Sequence, residues 1–125
     1  MAASKIEKEL DRMVQEWASR QRSIVSGKRG CVGHHIMPRG NHLLRWDLKN
    51  IAPLTPDEHR DFHDGKIALE IDYDTQQYLD EMIRIPYRDY LLFNGLTENE
   101  FFKREKAKLK KALMGNFSYR SCSSC

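Results

Sequence analysis

The chain has 125 residues, of which 31 % are charged and 40 % hydrophobic, with a formal net charge of +3. That length suits a single domain around one core. No apolar run exceeds Tyr90-Leu91-Leu92-Phe93, and the start, Met1-Ala2-Ala3-Ser4-Lys5-Ile6-Glu7, has no apolar stretch. Neither a membrane-spanning helix nor a secretory signal is therefore expected, and a cytoplasmic location is. Three cysteines, an odd number, do not make a disulfide framework.

The first element is an amphipathic helix within residues 1–22. Ser4 and Glu7 have the S-x-x-E spacing of a capping box. Ile6, Leu10, Met13, Val14 and Trp17 recur at helical spacing and share one buried face. The glycine-punctuated basic loop Ser26-Gly27-Lys28-Arg29-Gly30 follows the helix.

Residues 31–66 hold all five histidines, at positions 34, 35, 42, 59 and 63. Two β-compatible pieces, Cys31 to Met37 and Asn50 to Leu54, flank a polar loop. Thr55-Pro56-Asp57-Glu58 then reads as a helix start, with Thr55 as N-cap, Pro56 at the first helical position and Glu58 closing the box. This helix carries His59 and His63 and stops near Gly65.

Ile67 to Tyr73 alternates apolar and acidic residues and reads as a short strand. A helical part over residues 74–114 follows. Asp74 or Thr75 caps a helix to about Ile85, Pro86 starts one that ends at Asn94-Gly95, and Thr97 to Glu100 opens the last, to about Met114. In that last helix Phe101, Phe102, Leu109 and Leu113 face the core. Lys103, Arg104, Lys106, Lys108, Lys110 and Lys111 face out, as either a solvated face or a phosphate-contacting one. The serine-rich tail, residues 116–125, is expected to be mobile.

The spacing of the histidines is the informative feature. His34 and His35 are neighbours, so on a strand they point to opposite faces. His59 and His63 are four apart and share one face of a helix, as a two-histidine metal clip requires. His34, His59 and His63 can then take one divalent ion and leave coordination positions open. His35 stays close to the metal without binding it, and a free imidazole, with an unperturbed pKa of about 6.5, suits taking a proton from water. A single histidine is ordinarily a surface or core residue; four in the pattern H-H … H-x-x-x-H over a capped helix are a constellation. His42 fits no place in it.

Cys31 to Lys66 resembles the HNH endonucleases, which have the ββα-metal nuclease fold. The residues that carry the likeness are His34-His35-Ile36, Pro38, Asn50-Ile51, Thr55-Pro56, His59, His63 and Gly65-Lys66. The histidine and asparagine spacing is similar to that of the DNase colicins. Arg39, Leu44-Arg45-Trp46-Asp47 and Asn50 are instead similar to small phage-encoded HNH proteins, including recombination nucleases of the Rap/NinG type.

The resemblance implies an α+β fold, a ββα-metal core flanked by N-terminal and C-terminal helices. It implies DNA phosphodiester hydrolysis in phage or mobile-element DNA processing. In it His35 is the general base, His34, His59 and His63 hold the metal, and Asn50 orients His35 or braces the loop. Histidine ligands favour Zn²⁺, Ni²⁺, Co²⁺ or Mn²⁺ over Mg²⁺, although Mg²⁺ could still be an activating ion. Lys28, Arg29, Arg39 and Arg45 would position backbone phosphates without reading sequence. For Arg45-Trp46-Asp47 the competing reading is structural, with Trp46 in the core and Asp47 pairing with Arg45 or capping the loop. Cutting both strands with one site per chain calls for a homodimer or two sequential nicks.

The chain also departs from that pattern. Many phage HNH proteins add a structural zinc on two C-x-x-C pairs. Here the helix-side positions are Thr55 and Glu58, and three cysteines cannot make that site. The flanking helices are expected to brace the core instead. Cys122-Ser123-Ser124-Cys125 has the C-x-x-C form but sits at the serine-rich terminus. A non-catalytic nucleic-acid-binding module with the same fold is the alternative reading. A toxin nuclease domain is a third.

Overall fold

The computed structural model describes residues 4–38 and 40–115. Arg39 and the Cys122/Cys125 tail lie outside the described residues. The protein is α+β: helix α1 (Lys5–Ser19), strand β1 (Val32–His35), short helix α2 (His42–Arg45), a 3-10 turn (Leu48–Asn50), strand β2 (Ile51–Leu54), then helices α3 (Pro56–His63), α4 (Tyr73–Met82), α5 (Tyr87–Phe93) and α6 (Glu98–Met114). No helix among the described residues is long and apolar enough to cross a membrane.

All three capping boxes read from the sequence are formed, at Ser4/Glu7, Thr55/Glu58 and Thr97/Glu100. Each satisfies backbone donors that the first helical turn leaves without partners. The apolar stripe of α1 (Leu10, Met13, Val14, Trp17) is buried against Trp46, Ile51, Phe101, Phe102 and Leu109. Ile6 and Leu113 pack against this core while partly exposed. Lys106 on α6 pairs with Glu9 on α1 at 3.0 Å, and Arg20 donates to the Leu113 carbonyl at 2.8 Å. The two flanking helices thus clamp each other beside the sheet.

The sheet is one antiparallel pair, with Val32 opposite Leu54, Gly33 opposite Pro53, His34 opposite Ala52 and His35 opposite Ile51. Gly33 lets α1 approach closely. A Cβ there would lie 2.9 Å from Ile51 Cγ2, 3.2 Å from Ala18 Cβ and 3.2 Å from Gln15 Nε2. Gln15 then takes the place of a third strand: Gly33 N–H donates to its Oε1 at 2.8 Å, and its Nε2 donates to the Gly33 carbonyl at 3.2 Å. On the other edge Pro53 has no N–H, and its carbonyl accepts from Ile24 N–H at 3.1 Å.

These closed edges account for one correction. Ile67 to Tyr73 is not a strand; residues 67–72 have no regular structure. The alternating pattern is there, but neither edge of the sheet can take another strand at these positions. A second correction concerns α4. Its cap is Asp72, accepting from Thr75 N–H at 2.8 Å, rather than Asp74 or Thr75, and it ends at Met82 rather than near Ile85.

Candidate metal centre

The alternation of β1 divides the adjacent histidines. His34 points to α3, where its ring centroid lies 4.8 Å from Phe62, 5.2 Å from His59 and 5.5 Å from His63. The residues of β1 on the opposite face include Gly33, against α1, and His35.

The α3 helix presents the other two imidazoles. With Thr55 capping and Pro56 in the first turn, four residues of helix bring His59 and His63 together, their Nε2 atoms 3.1 Å apart. The left-handed Gly65 (φ +76°) ends the chain's helical course after His63 and Asp64. One ring nitrogen from each of His34, His59 and His63 lies within 4.8 Å of the other two. Metal–nitrogen bonds of about 2.0–2.1 Å at a tetrahedral centre put ligand nitrogens about 3.3 Å apart. The clip on α3 already has that spacing, and a ring nitrogen of His34 lies within 4.8 Å of both. The three histidines therefore fit a divalent ion.

The electrostatics suit the same role. Burial, and then the neighbouring imidazoles of His59, His63 and His35, push the pKa of His34 down to about 4. Burial and His63 push His59 down as well. Neutral imidazoles keep the lone pairs that a metal needs. His34 and His59 are half-buried while His63 is exposed, so the cluster is open to solvent on one side. Open positions distinguish a catalytic ion from a closed structural one.

His35 has different company. Its Nε2 lies 2.9 Å from the carbonyl oxygen of Arg45. A carbonyl only accepts, so Nε2 carries the proton, and in the neutral form of the ring the lone pair belongs to Nδ1. Asn50, fully buried, does not touch His35 in the hydrogen bonds it makes with the loop. Its Oδ1 accepts from Met37 N–H at 2.7 Å, and its Nδ2 donates to the carbonyls of Met37 at 3.1 Å and Leu44 at 3.0 Å. Of its two expected roles, Asn50 performs the bracing one. It ties both ends of the loop whose Arg45 carbonyl receives His35.

Arg45 corrects a sequence expectation. It is not a substrate-facing cation: it is 9 % exposed, and its guanidinium grips Asp11 of α1, Nε to Oδ1 at 3.0 Å and Nη2 to Oδ2 at 2.7 Å. Glu7 stands 3.6 Å from Nη1. The Asp11 pairing holds the guanidinium above its usual range. Trp46 is in the core and donates to Asp11 at 2.9 Å, while Asp47 caps the 3-10 turn and accepts from the Tyr78 hydroxyl. The structural reading of Arg45-Trp46-Asp47 holds, with Asp11 rather than Asp47 as the partner of Arg45.

Lys28 and Arg29 are exposed, on a loop that Ser23 fastens to α3 by donating to Glu58 at 2.5 Å. Arg39 lies outside the described residues. His42 stacks on Tyr87 with centroids 4.8 Å apart and sits 3.2 Å from Glu7, away from the triad. The outward cations of α6 are not equivalent either. Lys106 is held by Glu9 and Lys108 by Glu105, leaving Lys103, Arg104, Lys110 and Lys111 as exposed cations outside these pairs.

Sequence reasoning missed Asp11, Gln15 and Phe62. Asp11 and Gln15 act on residues 34 and 18 positions away, with no local signature. Phe62 had one signal, its place between the two clip histidines in H-R-D-F-H. Compared with protein-family models, curated proteins and solved structures, the chain matches none, so the functional argument rests on these residues.

Proposed function

We propose that the protein is a metal-dependent endonuclease of the ββα-metal, HNH type that hydrolyses phosphodiester bonds in DNA. The observation that carries this reading is the divided pair. His34 faces His59 and His63 across β1 and α3, while His35 directs Nε2–H to the Arg45 carbonyl. A structural ion would use the first three imidazoles and have no need for a fourth held in orientation by a backbone carbonyl.

Zn²⁺, Ni²⁺, Co²⁺, Mn²⁺ or Mg²⁺ held by His34, His59 and His63 would supply Lewis acidity at the scissile phosphate and stabilise the leaving oxygen. The chain's own residues do the rest. His35 takes a proton on Nδ1 from a water whose oxygen forms the new bond to phosphorus as the bond to the 3′-oxygen breaks. The leaving 3′-oxygen takes a proton from solvent, so the products carry 5′-phosphate and 3′-hydroxyl ends. Asn50, through the Leu44 and Met37 backbone, keeps the Arg45 carbonyl under His35. Lys28, Arg29 and Arg39 contact backbone phosphates without reading bases. The likeness of the Arg45-Trp46-Asp47 segment to phage-encoded HNH proteins supports DNA processing as the setting.

Plasmid cleavage, assayed across Mg²⁺, Mn²⁺, Co²⁺, Zn²⁺ and Ni²⁺ and with chelator, tests the proposal. Nicking that needs an added ion and disappears in His35→Ala supports it. Tight DNA binding with no cleavage under any ion would overturn it in favour of a non-catalytic nucleic-acid-binding module.

A further inference from the structure

Between the 3-10 turn, α4 and α6 lies a groove of about 510 Å³, within the range of roughly 300–1,000 Å³ common to small-ligand sites. Trp46, Tyr78 and Leu109 contribute to its apolar wall. Glu105 is set into that wall, only 5 % exposed. Lys49, Lys108 and Lys111 border the groove and are all exposed.

A carboxyl buried in an apolar wall is satisfied only by donors that reach it. Among the described residues Glu105 receives one hydrogen bond, from Lys108 Nζ to Oε2 at 3.2 Å. Each carboxylate oxygen accepts two, so Oε1 and a second site on Oε2 can take donors from a ligand. Each oxygen of the neighbouring Asp47 accepts a bond, from Lys49 N–H and the Tyr78 hydroxyl, whereas Oε1 of Glu105 accepts none among the described residues. A fitting ligand is flat and apolar-faced, carries two adjacent donors on one edge, and has an anionic group for the lysines.

We propose that this groove binds a guanine nucleotide, with Glu105 accepting from the N1–H and N2–H donors of the base and Lys49 and Lys111 meeting its phosphate. Guanine alone among the common bases offers two neighbouring donors on its pairing edge. Adenine and cytosine offer a donor beside an acceptor, and thymine a donor between two acceptors. The nucleotide is either free or one unstacked guanine of a strand; the recognition chemistry is the same. The groove uses none of the three clustered histidines, so it stands or falls separately from the nuclease reading.

Calorimetric titration of the 125-residue chain, with chelator present, tests this with dGMP, dAMP, dCMP, dTMP, guanosine and the pentanucleotides TTGTT and TTATT. The expected result is dGMP binding at least about tenfold tighter than dAMP, the discrimination of a bidentate contact. Glu105→Gln, which presents one donor and one acceptor, should reverse the preference toward dAMP. The double variant Lys49→Gln/Lys111→Gln should weaken dGMP and leave guanosine unchanged. TTGTT binding tighter than dGMP assigns the site to a strand, and dGMP binding as tightly or tighter assigns it to the free nucleotide. Equal affinity for all four nucleotides, no binding of any, or a guanine preference that survives Glu105→Gln overturns the proposal.

Discussion

Arg45 accepts the Nε2 proton of His35 on its backbone, at 2.9 Å, while its own side chain is locked to Asp11 of α1. The tautomer of the proposed base is thereby coupled to a charge pair between the first helix and the loop. Neither residue needs to touch substrate for this to matter, because a base works only with its lone pair on the correct nitrogen.

Asp11→Ala should therefore lower both stability and cleavage. Among the described residues Arg45 would be left mostly buried with Glu7 as its remaining acidic partner, a loss on the order of 3 kcal/mol by analogy with broken buried pairs. Urea denaturation reads the stability. If cleavage, assayed at a temperature where the variant is fully folded, equals that of the wild type, the coupling to His35 is absent.

His35→Ala should reduce cleavage by about 10²- to 10⁴-fold, the usual contribution of a general base. Metal affinity should stay within about twofold, because the triad is built from His34, His59 and His63. Calorimetric metal titration separates the two effects. Lost affinity would show that His35, not His34, is a ligand.

The α3 clip makes the opposite prediction. His59→Ala and His63→Ala should each weaken metal binding by at least about a hundredfold, more than is usual for outer-sphere partners. At a hundredfold excess over Kd the ion adds about 2.7 kcal/mol to wild-type stability, and the variants should lose that increment. Thermal melts with and without metal check it; equal shifts in all three proteins would take the helix out of the site.

DNA binding should depend on α6 selectively. Lys103→Gln/Arg104→Gln/Lys110→Gln should flatten the slope of log K against log salt by up to roughly 2 to 3 units, at about 0.9 per phosphate. Lys106→Gln should leave the slope unchanged, because its ammonium is held by Glu9. Binding is measured on His35→Ala protein at four salt concentrations. An unchanged slope in the triple variant would make the exposed side of α6 a solvated face.

Glu105 sets a pH dependence of stability. Burial raises its pKa above the usual 4.5, Lys108 partly offsets this, and Asp47 adds to it. A raised folded pKa means the folded state binds a proton more readily than the unfolded one. The stabilisation is complete below pH 4.5 and is lost as pH rises through the raised value. Glu105→Gln should therefore be more stable than wild type at neutral pH, with the difference shrinking as pH falls toward 4.5. Parallel denaturation curves at pH 4.5 and 7.5 check the sign, and a constant difference would contradict it.

Local chemistry wrote much of this fold into the chain. Ser4, Thr55 and Thr97, each followed three residues later by glutamate, mark helix starts because a cap is made by residues adjacent in sequence. The spacing of His59 and His63 follows from the helical repeat alone, and the divergence of His34 and His35 from the strand repeat alone. By contrast, the strand pattern of residues 67–73 could not be resolved locally, since a strand exists only where another edge receives it.

What the sequence by itself determined, then, was the capped helices and the histidine clip, because backbone periodicity and capping act over three or four residues. Only the tertiary structure decided that His34 completes the cluster from β1 and that His35 is oriented by the Arg45 carbonyl. It also decided that Arg45 belongs to Asp11 rather than to a substrate. Those outcomes depend on which distant groups burial brings together. A guanidinium shut away from water must take the carboxylate that packing places beside it, and no local spacing specifies which one that will be.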